Sequence, residues 1–195
     1  MLASLASISS AISAHKLGGP RGVGALILAP DGDFAPLIAG GGQERRRRAG
    51  TENVAGIAGF AAAADAASLQ MAEEQARIGG LRDRLEQLLL AATPQAVILG
   101  AHASRLANTT CVALPGRLAD VLVAGLDLAG VAVSAGAACS SGKVTTSATL
   151  QAMGLEPEIA GGAIRVSIGP TTTETDISAF LAAWNRVAEA RKAAA

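Results

Sequence analysis

Lys16 stands beside His15, three residues after Ser13 and just ahead of a Gly18-Gly19-Pro20 turn. A lysine amine near pKa 10.4 is almost wholly protonated at neutral pH, so it works as nucleophile or base only once that charge is removed. A Schiff base with a carbonyl cofactor removes it, because the imine replaces the ammonium. The glycines would let the backbone come close to a bulky ligand. A hydroxyl at Ser13 and an imidazole at His15 are suitable partners for a phosphate. A second loaded stretch is Ser134-Ala135-Gly136-Ala137-Ala138-Cys139-Ser140-Ser141-Gly142. Its small residues fit an exposed, mobile Cys139. The thiolate is the reactive form, and a free thiol near pKa 8.5 is only a few per cent ionised at pH 7. No base adjoins Cys139 in the sequence, so its activation would come from the folded site or from proton transfer during the reaction. Cys111, inside an apparent strand, reads instead as a structural cysteine. Arg165 lies between Ile164 and Val166 in another apparent strand. That is a poor place for surface decoration, and its guanidinium fork suits a carboxylate. A third stretch runs from Gly40-Gly41-Gly42-Gln43-Glu44 into Arg48-Ala49-Gly50-Thr51-Glu52-Asn53. Within it, Arg45 to Arg48 reads as a solvated basic loop.

In this order the three stretches resemble the cysteine desulfurases, pyridoxal-phosphate enzymes of the class V aminotransferase type, and among them the subgroup with a long loop around the catalytic cysteine. The resemblance runs from Ser13 to about Arg191. It implies the α/β, aspartate aminotransferase-like fold of pyridoxal-phosphate-dependent transferases. Residues 1–70 would be the C-terminal part of the large cofactor-binding domain, and residues 71–195 the small C-terminal α+β domain with the cysteine loop. In that family the lysine lies near the middle of the chain, whereas here it is residue 16. The chain is therefore expected to be a truncated, C-terminal half. The family's aspartate at the pyridinium nitrogen, glutamine near the ring oxygen and stacking histidine would lie upstream; His102 is in the wrong region to replace the last.

The resemblance further implies that Lys16 holds pyridoxal phosphate and shuttles the substrate's α-proton. Ser13 and His15 would bind the cofactor phosphate, as would Thr51 in the site of a partner subunit, making the active site that of a homodimer. Arg165 would grip the substrate carboxylate. Cys139 would take the sulfur of L-cysteine as a persulfide, leave L-alanine, and pass the sulfur to an acceptor or iron–sulfur scaffold protein for cluster or thio-cofactor synthesis. No intrinsic metal is implied; Cys139 is expected only to ligate an iron–sulfur cluster transiently. Alone, the fragment is expected to be weakly active or inactive. Two other readings stay open: a non-catalytic sulfur-relay or dimerisation module that keeps Cys139, and a selenocysteine lyase-like enzyme.

The 16 basic and 16 acidic residues balance, so no long-range field favours nucleic acid or an anionic membrane. Half of the 195 residues are hydrophobic, Ala dominates and Tyr is absent, which suits closely packed helices with few aromatic anchors. No apolar stretch is expected to approach the ~20 residues of a membrane helix. Met1 to Ala14 is apolar and rich in Ser and Ala but lacks the basic start of a signal peptide, and its end belongs to the lysine motif. Two cysteines make no disulfide framework, and a reducing, cytoplasmic setting is expected.

The elements that must position these residues can be read in outline. Residues 1–12 and 22–28 predict buried strands, with a Pro30-Asp31-Gly32-Asp33 turn after the second. Asn53 is expected to cap an Ala-rich helix through about Leu69. Residues 70–92 predict a helix whose Leu81, Leu85, Leu88 and Leu89 form one stripe, with Gly79-Gly80 marking a kink or break. Strands are expected at 97–99, 108–114, 131–133 and 163–168. Helices are expected at 118–128, around 147–153, and from Thr173, where Thr173 and Asp176 have capping-box spacing. Alternation of this kind argues an α/β or α+β sandwich.

Overall fold

The structure is a computed structural model that describes residues 10–30, 32, 34–136 and 147–189. The chain divides into two compact units, Met1–Met71 and Ala72–Ala195.

The first unit contains an antiparallel ribbon of β1 (Ser10–Ser13) and β2 (Gly24–Ile27), with Ser10 opposite Ile27 and Ser13 opposite Gly24. The strands approach so closely that a Cβ on Gly24 would lie 2.5 Å from the Ile12 carbonyl oxygen. Position 24 therefore requires glycine. The ribbon is not the buried pair expected: Leu26 is 52% exposed, and the residues of β2 are exposed or half-buried. A run of apolar residues identified the strand but could not say whether anything covers it. Residues 1–9 of the first expected strand, with Asp31 and Asp33 of the expected turn, lie outside the described residues; Gly32 N–H does donate to the Ala29 carbonyl at 2.8 Å.

Helix α1 (Val54–Ala92) begins where the Asn53 side chain accepts the Gly56 N–H at 3.1 Å, the orphan-donor satisfaction that makes Asn a good cap. It does not stop near Leu69, nor does Gly79-Gly80 break it; 39 residues form one helix. An 18-residue window of α1 has mean hydropathy 1.3, so by length and composition alone the helix is long enough and apolar enough to cross a membrane. The expectation that no stretch would approach that threshold is thus corrected. Counting strongly apolar residues overlooked Ala, whose small individual contributions add up over a long run.

The second unit is a four-stranded antiparallel sheet in the order β3 (Val97–Leu99), β4 (Thr109–Ala113), β6 (Ala163–Ser167), β5 (Ser134–Ala135). The short edge strand forms at 134–135 rather than at 131–133, because Ser134 and Ala135 are the residues that pair with β6. Alternate residues point to opposite faces. Val112, Ile164 and Val166 face the main core with the α1 stripe Leu81, Leu85 and Leu89, helix α2 (Ala119–Leu128) and helix α5 (Glu174–Glu189). Leu88 lies at the margin of the stripe and is half-buried. Ala113, Ala163 and Leu99 face the other way, against Leu150 of α3 (Ala148–Ala152) and Ala160 of α4 (Pro157–Gly161). Helix α4 was not foreseen; five residues are too few for a periodic signal. The aromatic anchor of the core is Trp184, fully buried, which stacks at 6.1 Å on Phe180 and donates from Nε1 to Thr93 Oγ1 at 2.9 Å. The expected capping box forms at α5: the Thr173 N–H donates to the Asp176 carboxylate at 2.8 Å, and the Asp176 N–H to Thr173 Oγ1 at 3.4 Å.

Candidate functional site

Each unit holds part of the candidate site. In the first, β1 ends at Ser13 and the chain tightens into a single 3₁₀ turn, Ala14–Leu17. Ala14 is fully buried; its N–H donates to the Val23 carbonyl at 3.1 Å, and its own carbonyl accepts the Gly19 N–H at 2.9 Å. Gly18 closes the turn at φ 89°, where a Cβ would be strained. With Ala14 pinned, the next two side chains, His15 and Lys16, are presented to solvent. Ser13, half-buried, makes no side-chain bond to the turn, so its hydroxyl is not consumed as a cap. The structure therefore sets an amine, an imidazole and a hydroxyl along one short, anchored segment.

Thr51 lies elsewhere in this unit. It is exposed on the wall of an open groove of about 870 Å³ that is also lined by Arg45, Arg47, Arg48, Asn53 and Phe60, and not by Ser13, His15 or Lys16. The basic loop that forms one side has Glu44, Arg45 and Arg46 at φ 47°, 55° and 67°. Three consecutive left-handed L-residues are uncommon and strained. No local pattern signals this conformation, which glycine rather than arginine would ordinarily adopt.

In the second unit Arg165 lies on β6 directly opposite Cys111 on one neighbouring strand and Ser134 on the other. It is half-buried, and its Nε is buried with no acceptor among the described residues. Unpaired buried donors are rare enough that each calls for a ligand or a cause. Cys111, half-buried, packs against the Leu99, Ala113 and Leu150 cluster. Burial pushes its thiol above the usual range, and the Arg165 charge opposes that push without cancelling it. Cys111 is thus a neutral, packed thiol. Cys139 lies outside the described residues; of the described residues on either side, Gly136 and Ser147 both meet Leu150. A Cβ on Gly136 would lie 3.1 Å from Leu150 Cδ1 and 3.2 Å from the Ala163 carbonyl oxygen, so the chain leaves β5 hard against the sheet. At the other flank Ser147 Oγ accepts the Leu150 N–H at 3.4 Å. His102 is exposed in a turn after β3, in the second unit. Among the described residues no three His, Cys, Asp or Glu side chains are grouped to hold a metal ion.

Sequence reasoning missed one feature of this unit. Arg105 donates twice to Glu86, at 2.7 and 3.0 Å, and Thr110, fully buried, donates to the same carboxylate. This clamp ties α1 to β4 behind the face that carries Arg165 and Cys111. Its members are 19 and 24 residues apart, and no local pattern marks them.

A lysine turn in one unit and an arginine-bearing antiparallel sheet in the other fit the pyridoxal-phosphate-type transferase fold of the solved NifS-like relatives. The aminotransferase class-V profile matches residues 8–180, and the chain belongs to that family. It is 46% identical over 166 residues to a cysteine desulfurase of Bradyrhizobium diazoefficiens, covering 85% of this chain and 42% of that one. It is 41% identical over 163 residues to the cysteine desulfurase NifS of Azotobacter vinelandii, covering 84% and 40%. A solved NifS-like protein from Rickettsia africae superposes with a TM-score of 0.80 at 36% identity, over 92% of this chain and 47% of that one. The chain spans less than half the length of the relatives it matches.

Proposed function

We propose that this chain carries the lysine and cysteine portions of a cysteine desulfurase that converts L-cysteine to L-alanine and leaves the sulfur on Cys139. The observation that carries the reading is Arg165: a guanidinium with a buried, unpaired Nε, one strand away from the strand that leads into the Cys139 loop. An amino acid carboxylate supplies the missing acceptor.

The residues present fit pyridoxal phosphate. Lys16 offers the amine that such a cofactor condenses with, and Ser13 and His15 offer phosphate donors on the same anchored segment. When bound, the cofactor supplies an electron sink for the substrate's α-carbon. Lys16 then holds and returns the α-proton, and Arg165 fixes the carboxylate. The Cys139 thiolate attacks the substrate sulfur, the electrons of the carbon–sulfur bond pass to the β-carbon, that carbon takes up the proton the Cys139 thiol gave up, and a persulfide remains on Cys139. Thr51, in a groove apart from Lys16, serves the phosphate of a second subunit in a homodimer. An acceptor or iron–sulfur scaffold protein takes the sulfur, and the balanced charge and two-cysteine content favour a cytoplasmic setting without nucleic-acid partners.

The test is the visible spectrum of the purified chain with pyridoxal phosphate, beside Lys16→Ala. A yellow band expected in the wild type and lost in the variant would support the reading; its absence from both would overturn cofactor binding by this chain. A second reading is a sulfur-relay module. It would accept a persulfide on Cys139 from another donor, with Lys16→Ala having no effect.

A further inference from the structure

The register of the sheet says what surrounds Arg165. Cys111 on β4 and Ser134 on β5 are both its direct partners. Opposite residues in antiparallel strands project from the same face, their Cβ atoms ~4.5–5.5 Å apart. Ser134, Arg165 and Cys111 therefore form one row across three strands, and Leu99, opposite Cys111, continues it. One end of the row is apolar, because Cys111 packs with Leu99, Ala113 and Leu150. The other end is a hydroxyl. Along β6 the same-face neighbours of Arg165 repeat the contrast, with Ala163 fully buried on one side and Ser167 exposed on the other. The guanidinium thus sits at a boundary between packed and polar surroundings, with Nε still unpaired.

We propose that Cys111 and Ser134 are positioning residues for Arg165: the compact Cys111 side chain forms the wall the guanidinium lies against, and the Ser134 hydroxyl donates beside it, so that together they set the direction from which an α-carboxylate is accepted. The inference rests on Arg165 being the carboxylate anchor. A small neutral thiol suits this position for two reasons. Burial keeps Cys111 protonated, so it does not compete as an anion for the guanidinium. It is also smaller than the branched apolar residues around it and leaves the arginine stem room to lie along the sheet. An acidic or strongly accepting residue there would satisfy Nε internally and remove the site.

The test is the arginine Nε–H region of the ¹H–¹⁵N NMR spectrum of the full chain, with the Arg165 resonance identified by its loss in Arg165→Lys. L-alanine is the probe and L-alaninamide, which lacks the carboxylate, the control. In the wild type, alanine is expected to move the Arg165 resonance to saturation and alaninamide to leave it in place. Cys111→Leu and Ser134→Ala are each expected to weaken alanine binding about fivefold, the effect of one lost hydrogen bond or an equivalent misplacement. They should also narrow the preference for carboxylate over amide, which a purely structural role would leave intact. Because Cys111→Leu could disturb packing, Trp184 fluorescence checks its fold, and Ser134→Ala decides if it does not fold. Equal alanine affinity in the wild type and the folded variants would overturn the positioning role while leaving Arg165 as anchor. No response of the wild-type resonance to alanine would overturn the anchor and the inference with it.

Discussion

Glu86 has a low pKa although its surroundings would raise it. Burial pushes the carboxyl up, but hydrogen bonds from Arg105 and Thr110, with the Arg105 charge, outweigh that and hold it below its ordinary value. A carboxylate with a depressed folded-state pKa contributes stability that is complete above its unfolded value, near 4.3, and is lost as pH falls through the folded one. The chain's melting temperature is therefore expected to be level above about pH 5 and to fall on acidification, with a shallower fall in Glu86→Gln. At neutral pH, Glu86→Gln should cost about 2 kcal/mol, because Arg105 and Thr110 lose a charged acceptor and the side chains are largely buried. Denaturant melts at pH 7 and pH 4 measure both; equal losses at the two pH values would refute the linkage. None of this clamp was legible in the sequence, since only the fold brings its members together. Arg165 was legible for the opposite reason. A charge in an apolar strand conflicts with its local environment, and such a conflict can be read without a structure.

Helix α1 shows how far local signals carry at the scale of an element. The Asn53 cap and the leucine stripe were readable because each is a short-range pattern. The expected break at Gly79-Gly80 did not occur: glycine weakens a helix by only ~1 kcal/mol per residue, and the packed Leu81, Leu85 and Leu89 turns hold it. A Cβ on Gly80 would meet nothing within 4 Å, and on Gly79 only Ala107 at 3.8 Å. Gly80→Ala is accordingly expected to stabilise the chain by about 0.5–1 kcal/mol in urea melts. A loss of stability would mean that the glycine serves a bend. Leu85→Ala should cost ~2–5 kcal/mol, since Leu85 is fully buried between α1 and the sheet. The exposure of β2 and the shift of the edge strand to Ser134–Ala135 lay beyond sequence reasoning, because burial and pairing depend on which other chain segments arrive.

For the whole molecule, the decisive proportion is that between this chain and its relatives. The family was readable from 195 residues because its motifs lie in order along one stretch. What a complete catalytic centre needs beyond them is another matter. The 14 residues before His15 contain no Asp, Gln or His, so none of these 14 offers a carboxylate, side-chain amide or imidazole to a cofactor ring. In the first unit Glu44, Arg45 and Arg46 are left-handed, and Leu37, 97% exposed, and Leu69, 87% exposed, are open apolar side chains. Cofactor binding at Lys16 and turnover are therefore measured separately. Incubated with L-cysteine, pyridoxal phosphate and a thiol reductant, the purified chain is expected to release alanine at least about a hundredfold more slowly than a complete relative, the factor that positioned acid–base groups alone contribute. An amino acid assay over hours measures this. Release near the relative's rate would show that the residues from Ser13 onward suffice for the chemistry.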